Sequence, residues 1–168
     1  MHVSAGNPFR RWPLDHFVAV ARSLAEDADR RVIVTAGPAE RELVDRVVTG
    51  ARAGLPADAQ ARLLAWAELP LPELRALLDR AAVYIGGDSG PLHVASTSAI
   101  AIVGLYGPTL PARSAPWRDP SRRTVSIDAG ELPCRPCDQR VCAPGDFRCL
   151  TRIPPDRVVE AAIRCLDA

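Results

Sequence analysis

Apolar residues recur along this chain with two different periods, one typical of helices and the other typical of strands. Between residues 14 and 24 the apolar positions are three and four apart, directly after a Trp-Pro pair, which predicts an amphipathic helix. A β-branched run at 32–35 predicts a strand, and the apolar stripe at 43–51 predicts a second helix. Short strands are also expected at 2–5 and 62–66.

The same alternation continues through the second half of the sequence. A helix is predicted at 71–81, followed by a strand at 83–85 that ends in two glycines and by a short helix at 91–98. The most strand-like apolar run is 100–106, and 125–127 is the last strand candidate. Repeated strand–helix–strand units predict one α/β domain, a Rossmann-like and mostly parallel sheet with helices on both faces.

Residues 107–157 form a proline- and cysteine-rich loop with little periodicity, and a helix is predicted after it at 155–166. Four cysteines of this loop are candidate metal ligands: Cys134, Cys137, Cys142 and Cys149. Four thiolates with one short pair can enclose a structural zinc ion or an iron–sulfur cluster. Free buried thiols and disulfides are the alternatives, and Cys165 is expected in the core.

Composition excludes several classes of function. The 168 residues fit one compact domain, and a formal net charge of +1 leaves no domain-wide basic field, which argues against a nucleic-acid partner. All 21 basic residues are arginines, whose planar, forked donors suit phosphate and carboxylate. No apolar run approaches the ~18 residues that a membrane span needs. Since no secretion signal is evident, a cytoplasmic location is expected, with any role at the inner face of the inner membrane peripheral.

Three loops that follow predicted strands are the candidates for chemistry. Ligands of open parallel sheets bind outside the carboxyl ends of the strands, which points to 4–11, 36–40 and 86–93. In the first of these loops, Arg10 and Arg11 precede the N terminus of a helix and could clamp a diphosphate. The alternative is that both are ordinary surface arginines.

The other two loops offer acceptors for hydroxyls and donors for phosphate. Glu40 could accept hydrogen bonds from the two hydroxyls of a ribose, or be only a charge in the first turn of a helix. Ser89 and the backbone of Gly90 suit phosphate, whereas Asp88 would repel phosphate and is expected to accept a hydroxyl proton. The alternatives are that Asp88 and Ser89 only cap a helix and that His93 is a hydrogen-bonded packing residue.

Together these loops resemble those of the glycosyltransferase family 9 heptosyltransferases of lipopolysaccharide core synthesis. The resemblance rests on R-R-W-P at 10–13, A-G-P-A-E at 36–40, G-D-S-G-P-L-H-V-A at 87–95, L-Y-G-P-T at 105–109 and the cysteine spacing. It implies the C-terminal, donor-binding half of a two-domain GT-B enzyme. The donor-binding residues that it implies are Arg10 in place of a lysine at the diphosphate or sugar, Glu40 at the ribose, Leu69 at the adenine, Asp88 at the sugar hydroxyls, and Ser89, Gly90 and His93 beside the phosphates.

The resemblance also implies an inverting transfer of a sugar from a nucleotide sugar, with ADP-heptose the expected donor, to a lipopolysaccharide-type glycolipid acceptor. No cofactor is expected to be required for catalysis. The catalytic base and the acceptor site are expected in an N-terminal domain outside this sequence, so no residue here is predicted to be catalytic and the isolated chain is expected to be inactive. The alternatives are a stand-alone nucleotide-sugar-binding module without catalysis, part of an enzyme of the nucleotide-sugar epimerase type, and a cysteine–metal interaction module.

Overall fold

The computed structural model describes residues 1–138 and 141–167, and its elements alternate as the apolar pattern predicts. The helices of this part are α1 Leu14–Ala25, α2 Arg41–Arg52, α3 Ala57–Ala61, α4 Leu71–Arg80, α5 Gly90–Ser96, α6 Pro111–Ser114, α7 Arg148–Thr151 and α8 Pro155–Leu166, with a 3₁₀ turn at Pro8–Arg10. The strands are β1 Val32–Val34, β2 Leu63–Ala65, β3 Val83–Gly87, β4 Ala101–Tyr106 and β5 Thr124–Asp128.

All strand pairs in the described part of the chain are parallel. One sheet pairs β1 with β2, and the other has the order β3-β4-β5. His2 joins the two sheets, because it forms parallel bridges to both Thr35 and Gly86. Counting the N-terminal segment first, the order across the molecule is 3-2-1-4-5-6, the arrangement of nucleotide-binding Rossmann sheets.

Helices cover both faces of this sheet, which confirms the predicted fold class. Successive side chains of a strand point to opposite faces, so Ile85 and Tyr84 of β3 belong to different apolar clusters. The first cluster contains the buried sides of α1, α2 and α8, and the second contains those of α4 and α5. The N-terminal segment and β3 therefore lie in the middle of a two-sided layer.

Trp12 fixes the chain where the first loop enters α1. Its indole is buried, its Nε1 donates to the carbonyl oxygen of Ile153 at 3.1 Å, and its ring meets Phe17 edge-on at 4.9 Å. This contact ties the segment after Arg11 to the turn that precedes α8. The loop that carries the two arginines is thus anchored on a rigid element.

Several element predictions were wrong in detail. The strand expected at 2–5 is reduced to the bridge at His2, and the short helix ends at Ser96 rather than Ser98. Within the region predicted as a loop at 107–157, the structure has the helices α6 and α7 beside the predicted strand β5, and the helix α3 was also not predicted. These three short helices have four or five residues, too few for an apolar period to show. No helix among the described residues is both long and apolar enough to span a membrane.

Candidate functional site

The strand order places the switch point of the sheet between the N-terminal segment and β3, and we call the space between the loops that leave these two strands the crevice. The helix that follows the N-terminal segment, α1, packs on one face of the sheet, and the helix that follows β3, α5, packs on the other. The loops that lead to these helices therefore diverge at the carboxyl ends of the strands. The first loop, 4–11, and the loop after β3, 86–93, border this crevice. A Cβ on Gly87 would lie 3.0 Å from the carbonyl oxygen of Arg10, so the glycine permits the two loops to approach.

Asp88 and Arg10 form the centre of this crevice. Nη1 of Arg10 lies 3.3 Å from Oδ2 of Asp88, and the Asp88 side chain is only 5% exposed while that of Arg10 is 38% exposed. Oγ1 of Thr109 donates to the same Oδ2 at 2.7 Å. A cation and a hydroxyl donor are the partners that a buried carboxylate needs to offset its loss of hydration. The ion pair therefore offers one buried acceptor and one partly exposed cation to a ligand.

Three further residues of the loop after β3 are at least partly exposed: Ser89, Gly90 and His93. Ser89 is the N-cap residue of α5 but makes no side-chain capping bond, and its Oγ donates to the carbonyl oxygen of Gly87 at 3.3 Å. Neither Asp88 nor Ser89 therefore caps α5 through its side chain. His93 is 53% exposed, and its Nε2 lies 3.8 Å from Oδ1 of Asp88, so it is not a packing residue.

Glu40 is held in place by Arg11 rather than exposed as a free charge. Nη2 of Arg11 contacts Oε1 of Glu40, and Nε of Arg11 donates to the carbonyl oxygen of Ala5 at 2.9 Å. The backbone N–H of Gly37 donates to Oε2 of Glu40 at 3.2 Å. The two adjacent arginines thus contact different carboxylates, Arg10 at the loop after β3 and Arg11 at the loop before α2.

A chain of buried hydrogen bonds connects the loop at Gly37 to the N-terminal segment and to the end of β1. The N–H of Gly37 donates to Oγ of Ser4 at 3.0 Å, and Ser4 Oγ lies 3.0 Å from Nε2 of His2. Nδ1 of His2 is 3.0 Å from Oγ1 of Thr35. Burial lowers the pKa of His2 to about 4, so the imidazole is neutral at pH 7 and can accept at one nitrogen while it donates at the other.

Leu69 lies further from this centre, in the segment between β2 and α4. Its side chain is half-buried against the second apolar cluster, beside α4. The preceding residue, Glu68, forms an exposed ion pair of 3.3 Å with Arg41 at the start of α2, next to Glu40. The structure thus brings the Leu69 segment beside the Glu40 loop.

Sequence reasoning assigned no role to two residues of the candidate site: Thr109, although it ends the L-Y-G-P-T motif, and Arg135. Thr109 follows β4, the neighbour of β3, so its closeness to Asp88 could have been inferred from the shared carboxyl edge of the two strands. Tyr106, the last residue of β4, lies beneath, where burial and the nearby charge of Asp88 raise its pKa to about 12. No pattern in the sequence indicates Arg135, which reaches Thr109 from the cysteine-rich loop.

The four predicted metal ligands line one cavity of about 410 Å³, walled on one side by Phe9 and Phe147. The rings of these two phenylalanines are 5.6 Å apart, which packs the cysteine-rich loop against the segment that carries Arg10. Within 1–138 and 141–167, however, no three cysteine, histidine or acidic side chains are grouped so that they could hold one metal ion. Cys134, Cys137, Cys142 and Cys149 thus stay a prediction as metal ligands, and burial raises the pKa of the Cys149 thiol.

The model of the family described as glycosyltransferase family 9 (heptosyltransferase) matches residues 1–146. The chain belongs to glycosyltransferase family 9. A curated relative, lipooligosaccharide heptosyltransferase 2 of Campylobacter jejuni, is 26% identical over 162 residues, which cover 91% of this chain and 46% of the relative. This family 9 chain thus spans less than half the length of the curated relative.

Two solved structures share the fold of this family 9 chain. A glycosyl transferase family 9 protein of Veillonella parvula has a TM-score of 0.78 at 24% identity, over 98% of this chain and 44% of the other. The Escherichia coli ADP-heptose lipopolysaccharide heptosyltransferase II has a TM-score of 0.77 at 24% identity, over 98% and 45%. The described fold therefore corresponds to about half of a family 9 protein.

Proposed function

We propose that this chain is the donor-binding half of an inverting heptosyltransferase of the GT-B type. The crevice would hold a nucleotide sugar, with ADP-heptose as the expected donor, while a second, acceptor-binding half supplies the catalytic base and the site for a lipopolysaccharide-type glycolipid. Family membership supports the class of reaction, and the solved Escherichia coli relative is itself named for ADP-heptose. By itself, the 168-residue chain would bind the donor without transferring the sugar.

The observation that carries this proposal is the Arg10–Asp88 pair in the crevice between the N-terminal segment and β3. A nucleotide sugar presents a diphosphate next to a ring of hydroxyls, so its site needs a cation next to an acceptor. Arg10 is partly exposed and has forked donors for the diphosphate. Among the described residues, the two close partners of the Asp88 carboxylate both contact Oδ2, so we assign Oδ1 to a sugar hydroxyl.

The neighbouring loops suit the rest of the nucleotide. Glu40 presents a carboxylate that Arg11 and Gly37 already orient, and a ribose could be held there by its two hydroxyls. We place the adenine against Leu69, in the segment that the Arg41–Glu68 pair holds beside Glu40. Backbone N–H groups at Ser89 and Gly90, together with His93, would border the phosphates.

Leaving-group stabilisation is the part of catalysis that we assign to this chain. As the acceptor oxygen attacks the anomeric carbon, the bond to the diphosphate breaks and negative charge develops on the departing phosphate. The guanidinium of Arg10, fixed beside that position before the reaction, would stabilise this charge. The base that deprotonates the acceptor belongs to the other half in this proposal, so no residue of this chain is assigned to proton transfer.

Calorimetry of the purified chain against ADP, UDP and GDP tests the proposal. We expect ADP to bind, and we expect Asp88→Ala to weaken ADP-heptose more than ADP because Asp88 is assigned to the sugar. Glu42→Ala, an exposed acid in the first turn of α2, is the matched control and should leave both affinities unchanged.

Failure of all three nucleotides to bind would contradict the proposal. Unchanged ADP-heptose affinity in Asp88→Ala would remove Asp88 from the site. Conversion of a nucleotide sugar without any acceptor would favour the epimerase-type alternative instead.

A further inference from the structure

Thr109 and Arg135 form a chain of contacts that ends on the buried carboxylate of Asp88. Oγ1 of Thr109 donates to Oδ2 of Asp88 at 2.7 Å. The carbonyl oxygen of Thr109 accepts from Nη2 of Arg135, also at 2.7 Å. Two residues outside the three predicted binding loops therefore bear on the carboxylate that the proposed function assigns to the sugar.

Arg135 is held rigidly enough to act as an anchor. Its side chain is only 2% exposed, and Nη2 lies 3.1 Å from Oδ2 of Asp128, the last residue of β5. Nη1 of the same guanidinium donates to the carbonyl oxygen of Gly130 at 2.6 Å. A planar guanidinium with partners at both ends has little freedom to rotate, so Arg135 ties Thr109 to the end of the edge strand.

The backbone on either side of Thr109 is fixed as well. The N–H of Cys137 donates to the carbonyl oxygen of Pro108 at 2.9 Å. Leu150 lies so close to Gly107 that a Cβ there would be 2.5 Å from its Cγ. The segment between β4 and α6 is therefore held by the cysteine-rich loop and by α7 together.

We propose that Thr109 and Arg135 are positioning residues that determine recognition of the sugar, as distinct from the nucleoside diphosphate. Thr109 holds Oδ2 of Asp88, which leaves Oδ1 as the acceptor for a sugar hydroxyl. Nε2 of His93 lies 3.8 Å from Oδ1, beyond hydrogen-bond distance. This inference rests on the proposed function, and it gives the cysteine-rich loop a role that does not involve its thiols.

Thr109→Val tests the inference, because valine keeps the shape of threonine and removes only the hydroxyl. We expect calorimetry to show a fall of about tenfold in affinity for ADP-heptose and less than about twofold for ADP, since the lost hydrogen bond is to a charged group at the sugar end. Thr109→Ser should restore the affinity. Thr151→Val is the matched control, since Thr151 Oγ1 donates to a backbone carbonyl, that of Asp146, within the same loop.

A double-mutant cycle separates positioning from a merely structural effect. If Thr109 acts through Asp88, then Thr109→Val should cause no further loss of ADP-heptose affinity in an Asp88→Asn background. Arg135→Lys, which keeps the charge beside Asp128, should lower the ratio of ADP-heptose to ADP affinity in the same direction as Thr109→Val.

The possible results are distinguishable. Three results would each overturn the positioning inference while the proposed function stands. They are an equal fall in affinity for both ligands in Thr109→Val, an unchanged ratio of ADP-heptose to ADP affinity in Arg135→Lys, and full additivity of Thr109→Val with Asp88→Asn. If the wild-type chain binds neither ADP nor ADP-heptose, both the inference and the proposed function are wrong.

Discussion

Arg10 and Arg11 are adjacent in sequence, yet the structure gives them different partners. Arg11 is anchored by its Nε on Ala5 and contacts Glu40, whereas Arg10 pairs with Asp88 and keeps more than a third of its side chain exposed. We therefore expect Arg10→Ala to weaken ADP binding by about tenfold or more, because it removes a charge-assisted contact to the diphosphate. Arg10→Lys should retain part of the affinity, since it keeps the charge. Calorimetry with ADP measures both effects.

The control for this prediction is Arg113→Ala, which removes an exposed arginine of α6. It changes the net charge by the same amount and should leave ADP affinity unchanged. An equal loss of ADP affinity in Arg113→Ala would mean that Arg10 contributes only through the net charge of the protein. An unchanged ADP affinity in Arg10→Ala would remove Arg10 from the site.

Sequence patterns indicated most of these residues but not how they are partnered. Asp88, Ser89 and Gly90 were predicted as site residues because they directly follow a strong strand signal that ends in glycines. The division between Arg10 and Arg11 could not be predicted, because it depends on which of the two side chains reaches the carbonyl oxygen of Ala5. Arg135 was missed for a similar reason, since its reach to Thr109 depends on the path of an aperiodic loop.

At the scale of elements, His2 connects the N-terminal segment to β1 and, through Ser4, to the loop before α2. Its pKa is lowered from 6.5 to about 4 by burial. The unfolded chain therefore binds more protons than the folded one between these values, and stability present above pH 6.5 is lost as the pH falls towards 4. The loss attributable to His2 is roughly 3 kcal/mol of unfolding free energy.

Denaturant unfolding between pH 4 and pH 7 measures this effect. His2→Gln should make the pH dependence of the unfolding free energy shallower by that amount. The same slope in the wild type and in His2→Gln would show that another group is responsible for the acid sensitivity.

The elements themselves were predictable where an apolar stripe spans at least two turns of helix or a strand is fully buried. This holds for α1, α2, α4 and α8 and for β3 and β4. Prediction from the sequence fails where tertiary contacts, rather than the local apolar pattern, determine the element. The N-terminal segment makes bridges only at His2, and α6 and α7 are single turns whose positions follow from loop contacts rather than from periodicity.

For the whole molecule, the strand order explains why residues distant in sequence meet at one edge. The N-terminal segment lies between β1 and β3, so the loops that carry Arg10, Glu40 and Asp88 all open onto the same crevice. The sequence predicted a parallel sheet, but the order of its strands depends on the path of every connection. Family membership and the two solved relatives agree with this fold over about half of their length.

A crystal structure of this chain with ADP tests the central claim most directly. We predict that the diphosphate lies within hydrogen-bond distance of the Arg10 guanidinium and that the ribose hydroxyls lie against Glu40. A nucleotide bound elsewhere would contradict the claim, for example in the apolar groove lined by Ile33, Trp66 and Leu77, with the Arg10–Asp88 pair undisturbed.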